Sequence, residues 1–506
     1  MRFALAYPSP YMVGMSNLAV RLLYELINNK SEALCERFFF TSYRQTPKSI
    51  ESGLDLTSFD VIGFSLQHEM DYTRMLDMIA SAGIPPRSGG NRPVVIAGGP
   101  AVSSNPVPLL PFVDFFVIGE VEPIIDAVIE ELSHGSDNLS KRMSGIPGIL
   151  QNGFSAERIF AHNLDCTYHA IRQIHPVDGQ GFSSTFLLEV SRGCNRGCRF
   201  CMECYTYRPR RERSLEQIAT ILEEGLRFTQ TRKVTCISSA FFDHSHIADI
   251  LALMKEKRLG FSVPSIRVTE DNDELFQLLV AGGQKTLTVA PETPSERLRE
   301  ILGKRFSNDQ LLSVISKSRE AGMASVKLYF MLGIPGETNS DLEGLKALLG
   351  KAISIGYRPP NIHITINPMI PKGNTPFQWA PIIGESEFKS RLSYFRRICS
   401  ELGIKRVESM DYHWGVIQAF LSTGGAEASD LLARLLSDIE NGGSGDLGSW
   451  RRVLRSLDKS FQNLYVPPSI DSDLPWEIIK ETVPKSLLIR EFEKAIGENY
   501  GPNIRK

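Results

Sequence analysis

The sequence lacks several features that mark special classes of protein. No run of about 18 apolar residues is present, so a membrane-spanning helix is not expected. The first residues carry a single charge, are soon interrupted by prolines and show no signal-peptide cleavage pattern. The formal net charge of -2 excludes a surface built as a whole to coat nucleic acid or an anionic membrane. The 506 residues, 42% hydrophobic and 23% charged, indicate an ordinary globular protein of about three domains, expected in the cytoplasm.

Cysteine is sparse but unevenly distributed. Of the 8 cysteines, Cys194, Cys198, Cys201 and Cys204 lie close together. Such clustering in a chain without a secretion signal indicates metal binding rather than disulfides. The apolar segment TFLLEV leads directly into the first of these cysteines, so we expect the cysteines on a loop at the carboxyl end of a strand.

The spacing Cys-x3-Cys-x2-Cys suits an iron–sulfur cluster, whose usual protein ligands are thiolates. Three thiolates on one loop would hold three irons of a four-iron cluster and leave the fourth iron open to another ligand. One alternative is a zinc site, which takes four Cys or His ligands, commonly as two separated pairs. The other is a cluster bound by all four cysteines that only carries electrons. Cys204 keeps both alternatives open.

Strand and helix signals divide the chain into four predicted regions. Residues 1–135 alternate short apolar runs with helical patterns, which predicts a doubly wound, Rossmann-like α/β domain. Residues 136–182 are predicted to be a linker, residues 183–385 a partial (β/α)6 barrel, and residues 386–506 a mainly helical region. The predicted barrel strands are Thr185–Val190, Val234–Ser238, Ser265–Val268, Thr286–Ala290, Val326–Met331 and Ile362–Asn367.

The motif Cys194, Cys198 and Cys201, with the aromatic Phe200 before the third cysteine, resembles the signature of the radical S-adenosylmethionine (SAM) superfamily. The six strand–helix units agree with the fold of that superfamily. The resemblance implies a [4Fe-4S] cluster on these cysteines, with SAM bound to its open iron and cleaved reductively to a 5′-deoxyadenosyl radical. It also implies an electron donor such as flavodoxin or ferredoxin.

The resemblance further implies a set of SAM-binding residues at the strand ends. They are Phe200, Ser238, Ser239, Arg267, Glu292, Gly333 and Gly336. Superfamily members often carry Gly-Gly-Glu after the second strand, where this chain has Ser238, Ser239 and Ala240, so the acid that meets the SAM amine is missing there. Asp243 is a candidate substitute. Each of these residues also has a structural interpretation. Glu292 could be an acid at the start of a helix, and Arg267 could belong to a structural ion pair. Gly333 and Gly336 could form a plain turn.

A doubly wound domain ahead of such a barrel resembles the cobalamin-binding class of the superfamily. Ligands of doubly wound sheets bind beyond the carboxyl ends of the strands. The cobalamin contacts predicted there are Ser65, Gln67, Gly98, Gly99, Gly119 and Glu120. The Asp-x-His-x-x-Gly motif that places a histidine on cobalt is absent, and we expect His68 to be structural. The alternative is a domain that binds substrate or only packs.

Over nearly its whole length the chain is similar to an uncharacterised group of radical SAM proteins, which usually have glycine at the position of Cys204. With cobalamin, the predicted reaction is methylation of an unactivated carbon. Without cobalamin, it is a rearrangement, coupling or cleavage that starts with hydrogen abstraction. A non-catalytic electron carrier, with its cluster bound by all four cysteines, is the alternative of a different class.

RNA modification is disfavoured by the net charge, and we expect the arginines of residues 208–213 to pair with nearby acids.

Overall fold

The computed structural model describes residues 1–90, 92–176, 184–268, 273–480 and 483–497. The last six residues of the predicted linker and the predicted first residue of the barrel, residue 183, lie outside these ranges. Within them, no helix is long and apolar enough to cross a membrane.

The amino-terminal unit is a six-stranded sheet in the order β2-β1-β3-β4-β5-β6, parallel except for the last strand. Helices cover both of its faces, which explains why its strands are almost continuously apolar. The elements are β1 (Arg2–Tyr7), α1 (Tyr11–Gly14), α2 (Leu18–Asn28), β2 (Leu34–Phe39), β3 (Val61–Ser65), α3 (Asp71–Ser81), β4 (Val94–Gly98), α4 (Pro100–Ser104), β5 (Phe115–Val117), α5 (Ile125–Ser133), α6 (Leu139–Met143) and β6 (Ile149–Leu150). The predicted doubly wound fold is confirmed, and α6 and β6 extend this unit into the region predicted as a linker.

The central barrel consists of two parallel sheets in the orders β12-β11-β8 and β13-β14-β15-β16. Their strands are β8 (Phe186–Glu189), β11 (Lys233–Ile237), β12 (Gly260–Ser262), β13 (Thr286–Glu292), β14 (Ser325–Leu332), β15 (Ile362–Pro368) and β16 (Arg406–Ser409). The helices between them are α8 (Leu215–Thr229), α9 (Ile247–Glu256), α10 (Asp273–Ala281), α11 (Glu296–Ile301), α12 (Asn308–Glu320), α13 (Ser340–Glu343) and α14 (Leu345–Ser354). The short elements β7 (Ala156–Glu157), β9 (Ser191–Arg192), α7 (Glu203–Thr206) and β10 (Arg211–Glu212) lie outside both sheets.

Two details of the barrel differ from the prediction. The third strand is Gly260–Ser262 rather than Ser265–Val268, because Pro264 has no N–H to donate and ends the ladder before the predicted segment. That segment still joins β13 through a 2.7 Å hydrogen bond from the Ile266 N–H to the Thr288 carbonyl. A seventh strand, β16, comes from the region predicted to be mainly helical and pairs with β15.

The carboxyl-terminal region holds the other two units together. Its elements are α15 (Glu385–Glu401), α16 (Tyr412–Thr423), α17 (Ala426–Glu440), α18 (Leu447–Arg455), β17 (Ile479–Lys480) and α19 (Lys485–Ile496). α17 packs against α3 of the amino-terminal unit, and β17 pairs with β7. On α19, Phe492 packs against Trp379 with their ring centroids 5.7 Å apart.

Candidate cluster loop and interdomain cavity

A small antiparallel ribbon holds the cysteine loop. β9 follows β8 almost directly and pairs with β10, so that residues 193–210 form a closed loop at the carboxyl end of the first barrel strand. Gly193 begins the loop at φ +81°, and a Cβ atom there would lie 2.2 Å from the Tyr207 carbonyl oxygen. Only glycine fits this close approach in this conformation.

Arg199 fixes the middle of the loop to two other parts of the fold. Its backbone N–H donates to the Leu302 carbonyl at 2.9 Å. Its guanidinium donates to the carbonyls of Glu300 and Ile301 at the end of α11, at 2.9 and 2.8 Å. The same group reaches Glu491 Oε2 of α19 at 3.0 Å. The loop is therefore anchored to the barrel and to the carboxyl-terminal helix.

The thiols of the loop are suited to act as thiolate ligands. A hydrogen bond from Cys204 lowers the pKa of Cys194 to about 6 and that of Cys198 to about 7. The positive charge of Arg267 acts in the same direction on both groups, and that of Lys304 acts on Cys198. Thiolates rather than thiols bind iron, so this donor set fits a [4Fe-4S] cluster.

The arrangement does not fit a single ion. In the ranges that the structure covers, no group of three or more His, Cys, Asp or Glu side chains is placed to hold one metal ion. A zinc site would need its four ligands around one point. Each cysteine of a four-iron cluster binds its own iron instead, so that the thiols surround a larger volume.

The charged residues near the second and third barrel strands are paired with one another. Asp243 accepts two hydrogen bonds from Arg196, at 2.7 and 2.5 Å, and lies 3.7 Å from the Arg267 guanidinium. Asp243 is thus already neutralised, which weakens its candidacy as the acid for the SAM amine. Arg267 remains partly exposed beside the cysteines.

Glu292 has an unusual backbone conformation at the end of β13. Its φ is +66°, which is uncommon for a residue with a Cβ, and the register of β13 shifts just before it. Its carboxylate accepts a hydrogen bond from Lys304 at 2.7 Å. Lys304 in turn lowers the pKa of Cys198, so that this pair lies beside the cluster loop.

Gly333 and Gly336 form a turn with its own internal contacts. The Gly333 N–H donates to Glu337 Oε2 at 2.7 Å, and the Gly336 carbonyl accepts from Arg297 at 2.7 Å. A Cβ on Gly333 would lie 2.5 Å from Ile383. These contacts account for both glycines as turn residues.

A cavity of about 480 Å³ lies between the amino-terminal sheet and the barrel. All six residues predicted to contact cobalamin line it, and so do two of the residues predicted to contact SAM. These eight residues are Ser65, Gln67, Gly98, Gly99, Gly119, Glu120, Ser238 and Ser239. The carboxyl edge of the doubly wound sheet and the mouth of the barrel therefore share one space.

Arg192 is central to the charged part of the cavity wall. Its guanidinium binds Glu120, Glu122 and Glu189 at 2.8, 2.7 and 2.9 Å, respectively. Although burial raises the pKa of Glu189, Arg192 and then Arg213 lower it to about 2. These acids come from both units, so the ion pairs join the sheet edge to the first barrel strand.

Glu203 is the exception among the charged groups of this wall. It follows Cys201 by two residues, lines the cavity, and accepts a hydrogen bond from Ser239. Burial raises its pKa. No Lys, Arg or His in the described chain pairs with it, whereas the other lining carboxylates are all paired with arginines.

Comparison with known proteins agrees with the motif and the fold. Residues 19–149 match the family described as "Radical SAM proteins, N-terminal", and residues 188–349 match the radical SAM superfamily. The uncharacterised protein MJ0966 of Methanocaldococcus jannaschii is 30% identical over 430 residues, which cover 85% of this chain and 90% of that protein. The chain belongs to the radical SAM superfamily. Its cofactors are accordingly a [4Fe-4S] cluster and SAM.

Two solved radical SAM enzymes share the architecture of this radical SAM protein. The methyltransferase TsrM from Kitasatospora setae, with cobalamin and a [4Fe-4S] cluster bound, is 13% identical with a TM-score of 0.57, covering 90% of this chain and 99% of TsrM. The cobalamin-dependent enzyme OxsB, with aqua-cobalamin bound, is 14% identical with a TM-score of 0.53, covering 98% of this chain and 79% of OxsB. At these identities the likeness establishes the fold.

The predicted cobalamin and SAM contacts fall into two groups. Eight of these residues line the cavity. The other five do not line it; they are Phe200, Arg267, Glu292, Gly333 and Gly336. His68 lies outside the lining and has its Nε2 3.6 Å from buried Asp71, in keeping with a structural role. Sequence reasoning missed Arg192 and Glu203. Their only signal was position, each two residues from a cluster cysteine.

Proposed function

We propose that this radical SAM protein is a cobalamin-dependent methyltransferase that acts on an unactivated carbon. The observation that carries the proposal is the single cavity lined both by the carboxyl edge of the amino-terminal sheet and by Ser238 and Ser239 of the barrel. A cofactor on the sheet edge and SAM at the barrel mouth would face the same space. The cobalamin named in the structures of TsrM and OxsB supports this assignment.

The lining of the cavity fits an organic cofactor. Below the polar sheet edge, the cavity runs between the sheet and two helices, where its wall is apolar. These apolar residues include Leu22, Leu23, Ile125 and Val128. The cavity is partly open, so a ligand larger than about 480 Å³ can extend out of it. No histidine of the described chain lines it, so cobalamin would bind here without a protein histidine on cobalt.

When bound, the cluster supplies the electron that cleaves SAM, and cobalamin carries the methyl group to be transferred. The residues of the chain would position these groups. The thiolates of Cys194, Cys198 and Cys201 hold the cluster, and the hydroxyls of Ser238 and Ser239 orient SAM. The Glu203 carboxylate, which has no cation of its own, accepts hydrogen bonds from the SAM ammonium group.

Among the three glycines at the carboxyl edge of the sheet, Gly98 is the one whose added Cβ atom would meet no close contact. A Cβ on Gly99 or Gly119 would lie 2.5 or 2.0 Å from a backbone oxygen of a neighbouring segment. A Cβ on Gly98 would make only ordinary contacts, the nearest at 3.5 Å from Val117. Gly98 is therefore the position where a larger side chain would enter the cavity without breaking the backbone.

Cobalamin binding tests the proposal. The reconstituted protein is mixed with hydroxocobalamin, passed through gel filtration and examined by visible absorbance. We expect wild type to retain cobalamin and Gly98→Leu to lose it, because the leucine side chain fills the cavity. Gly350→Leu, the same change on α14 at a glycine with open space around it, is the matched control and should bind as wild type does. Retention by none of the proteins would refute the cobalamin assignment, and equal retention by all three would refute the placement of cobalamin in this cavity.

SAM chemistry is tested separately. After anaerobic reconstitution and dithionite reduction, the electron paramagnetic resonance signal of the cluster should change when SAM is added, and 5′-deoxyadenosine should form. A flavodoxin or ferredoxin is the proposed physiological electron donor in place of dithionite. If 5′-deoxyadenosine forms without cobalamin binding, the cavity holds substrate, and the rearrangement or coupling enzyme becomes the better assignment.

The arginines at residues 208–213 bind other parts of the chain. Arg211 binds Glu120 at 2.7 Å, Arg213 binds Glu189 at 3.2 Å, and Arg210 binds Glu212. These contacts agree with the expected internal pairing and leave RNA modification as the weaker hypothesis.

A further inference from the structure

The two faces of the second barrel sheet differ in their packing. Along β14 and β15, buried residues alternate strictly with half-exposed ones. The buried residues, such as Leu328 and Ile364, belong to the main hydrophobic core. Successive side chains of a strand point to opposite faces of the sheet, so the half-exposed residues point into the barrel. Layers of side chains fill the interior of a packed barrel, whereas the described residues leave this part of the interior accessible to solvent.

A row of basic side chains crosses this interior face. The strand registers pair Lys327 with His363 and His363 with Arg406, so these residues are neighbours across β14, β15 and β16. Arg406 Nη1 donates to His363 Nε2 at 2.7 Å. Arginine can only donate, so this imidazole nitrogen carries no proton and His363 is neutral. The Lys327 ammonium group lies 4.9 Å from the centre of the Tyr329 ring. The row therefore contains two positive charges and a neutral imidazole.

The two positive charges of the row are not paired with acids. Among the residues that the structure describes, neither Lys327 nor Arg406 forms an ion pair with a carboxylate. Burial, and then the charges of Arg406 and Lys327, lower the pKa of His363, whereas Glu408 acts in the opposite direction. Glu408 lies two residues further along β16 and leaves the face with a net positive charge. Like charges on neighbouring strands destabilise a sheet, and a bound anion would relieve this repulsion.

We propose that this basic row binds an anionic oxygen group, a carboxylate or a phosphate, at one end of the substrate. The inference rests on the proposed function and deepens it, because it assigns a chemical class to the substrate. Lys327 and Arg406 donate charge-assisted hydrogen bonds to the anionic oxygens. The imidazole of His363 lies between the two cations in the row and fixes the guanidinium of Arg406.

The position of the row also restricts the shape of the substrate. Lys327 lies in the amino-terminal half of β14, about 16 Å from the end of that strand at a rise of about 3.3 Å per residue. The cysteine loop lies at the opposite, carboxyl end of the barrel strands. A substrate that reaches both places is elongated, with its acidic group deep in the barrel and the reacting carbon near the cluster loop. This separation keeps the acidic group away from Glu203.

The test measures anion binding to the reconstituted full-length protein by isothermal titration calorimetry, without SAM and at constant ionic strength. Inorganic phosphate is the phosphate probe and succinate is the carboxylate probe. The variants are Lys327→Met, Lys327→Arg and Arg406→Met. Arg406 is exposed on the edge strand β16, so its variant keeps the proposal testable if Lys327→Met does not fold. Lys351→Met removes an exposed lysine from α14, outside the barrel interior, and is the matched control.

We expect wild type and Lys351→Met to bind one or both probes, and the tighter probe distinguishes a phosphate from a carboxylate substrate. Lys327→Met and Arg406→Met should bind that probe about tenfold more weakly, because each loses a charge-assisted hydrogen bond. Lys327→Arg keeps the charge and should retain most of the affinity. A wild-type protein that binds neither probe, or equal binding by all variants, would overturn the inference. Binding at the row in a protein that forms no 5′-deoxyadenosine would overturn the proposed function and leave the anion site established.

Discussion

Replacing Arg192 by methionine tests whether its buried ion pairs stabilise the junction of the two units. The substitution removes a charge that contacts Glu120, Glu122 and Glu189 while keeping most of the side-chain volume. The pKa of Glu189 falls from 4.5 to about 2 in the folded protein. The lowered pKa shows that the arginines more than offset the desolvation of the Glu189 carboxylate. Breaking a buried ion pair by removing one partner typically costs about 3–5 kcal/mol, and we expect a loss of that order for Arg192→Met.

The assay is thermal unfolding of Arg192→Met, Glu189→Gln and the double variant at neutral pH. Each single change should lower the melting temperature. The double variant should be less destabilised than the sum of the single changes, because the second removal no longer leaves a buried charge alone. Arg452→Met, which breaks an ion pair on the exposed face of α18, should have a much smaller effect. An Arg192 variant as stable as the Arg452 variant would refute the reasoning.

The pH dependence provides a second check of the same prediction. Because the pKa of Glu189 is lowered on folding, its ion pairs contribute stability that is fully present above pH 4.5. That contribution is lost as the pH falls through about 2, where the carboxylate becomes protonated in the folded state. The difference in stability between wild type and Arg192→Met should therefore narrow between these pH values. A difference that stays constant would show that lost packing, and not lost charge, causes the effect.

Three further predictions concern the cluster loop and the cavity. Cys201→Ala should abolish assembly of the [4Fe-4S] cluster, measured as iron content and visible absorbance after reconstitution. Gly193→Ala should destabilise the protein by more than about 1 kcal/mol and lower its iron content, because the Cβ would lie 2.2 Å from the Tyr207 carbonyl at a positive φ; unchanged unfolding would contradict this. Glu203→Gln should weaken SAM binding about tenfold in equilibrium dialysis, whereas Glu300→Gln, on the exposed side of α11, should leave it unchanged.

The sequence was most informative where chemistry and strand ends coincide. Thiolate spacing predicted the cluster cysteines, and the rule that ligands bind at carboxyl strand ends predicted six of the residues that line the cavity. The sequence could not identify ion pairs between distant segments. Glu120 lines the cavity as predicted, but its carboxylate binds Arg192 and Arg211, which follow it by more than 70 residues. Such pairing depends on how the sheet and the barrel are packed.

Short strands were also predicted poorly from the sequence. β16 has four residues and alternating exposure, so its apolar signal is too weak to stand out from the helices on either side. The third barrel strand was predicted too late in the sequence, because the apolar residues after Pro264 form a stronger pattern than Gly260–Ser262. Glu292 illustrates a third limit, since its positive φ arises from the shift in β13 and is not encoded by a glycine.

The charges around the cavity indicate which ligands it favours. Four carboxylates line the wall, and three of them, Glu120, Glu122 and Glu189, are neutralised by Arg192 together with Arg211 and Arg213. Glu203 lies in the same wall, two residues after Cys201, and has no Lys, Arg or His partner in the described chain. A carboxylate without a cationic partner attracts a cation at the wall of a cavity. SAM carries a positive sulfonium and an ammonium group, whereas an anionic group beside Glu203 would be repelled. Arg192 therefore has two effects: it joins the sheet to the barrel, and it pairs with the other acids of the wall, so that Glu203 is the lining carboxylate without a cationic partner in the described chain.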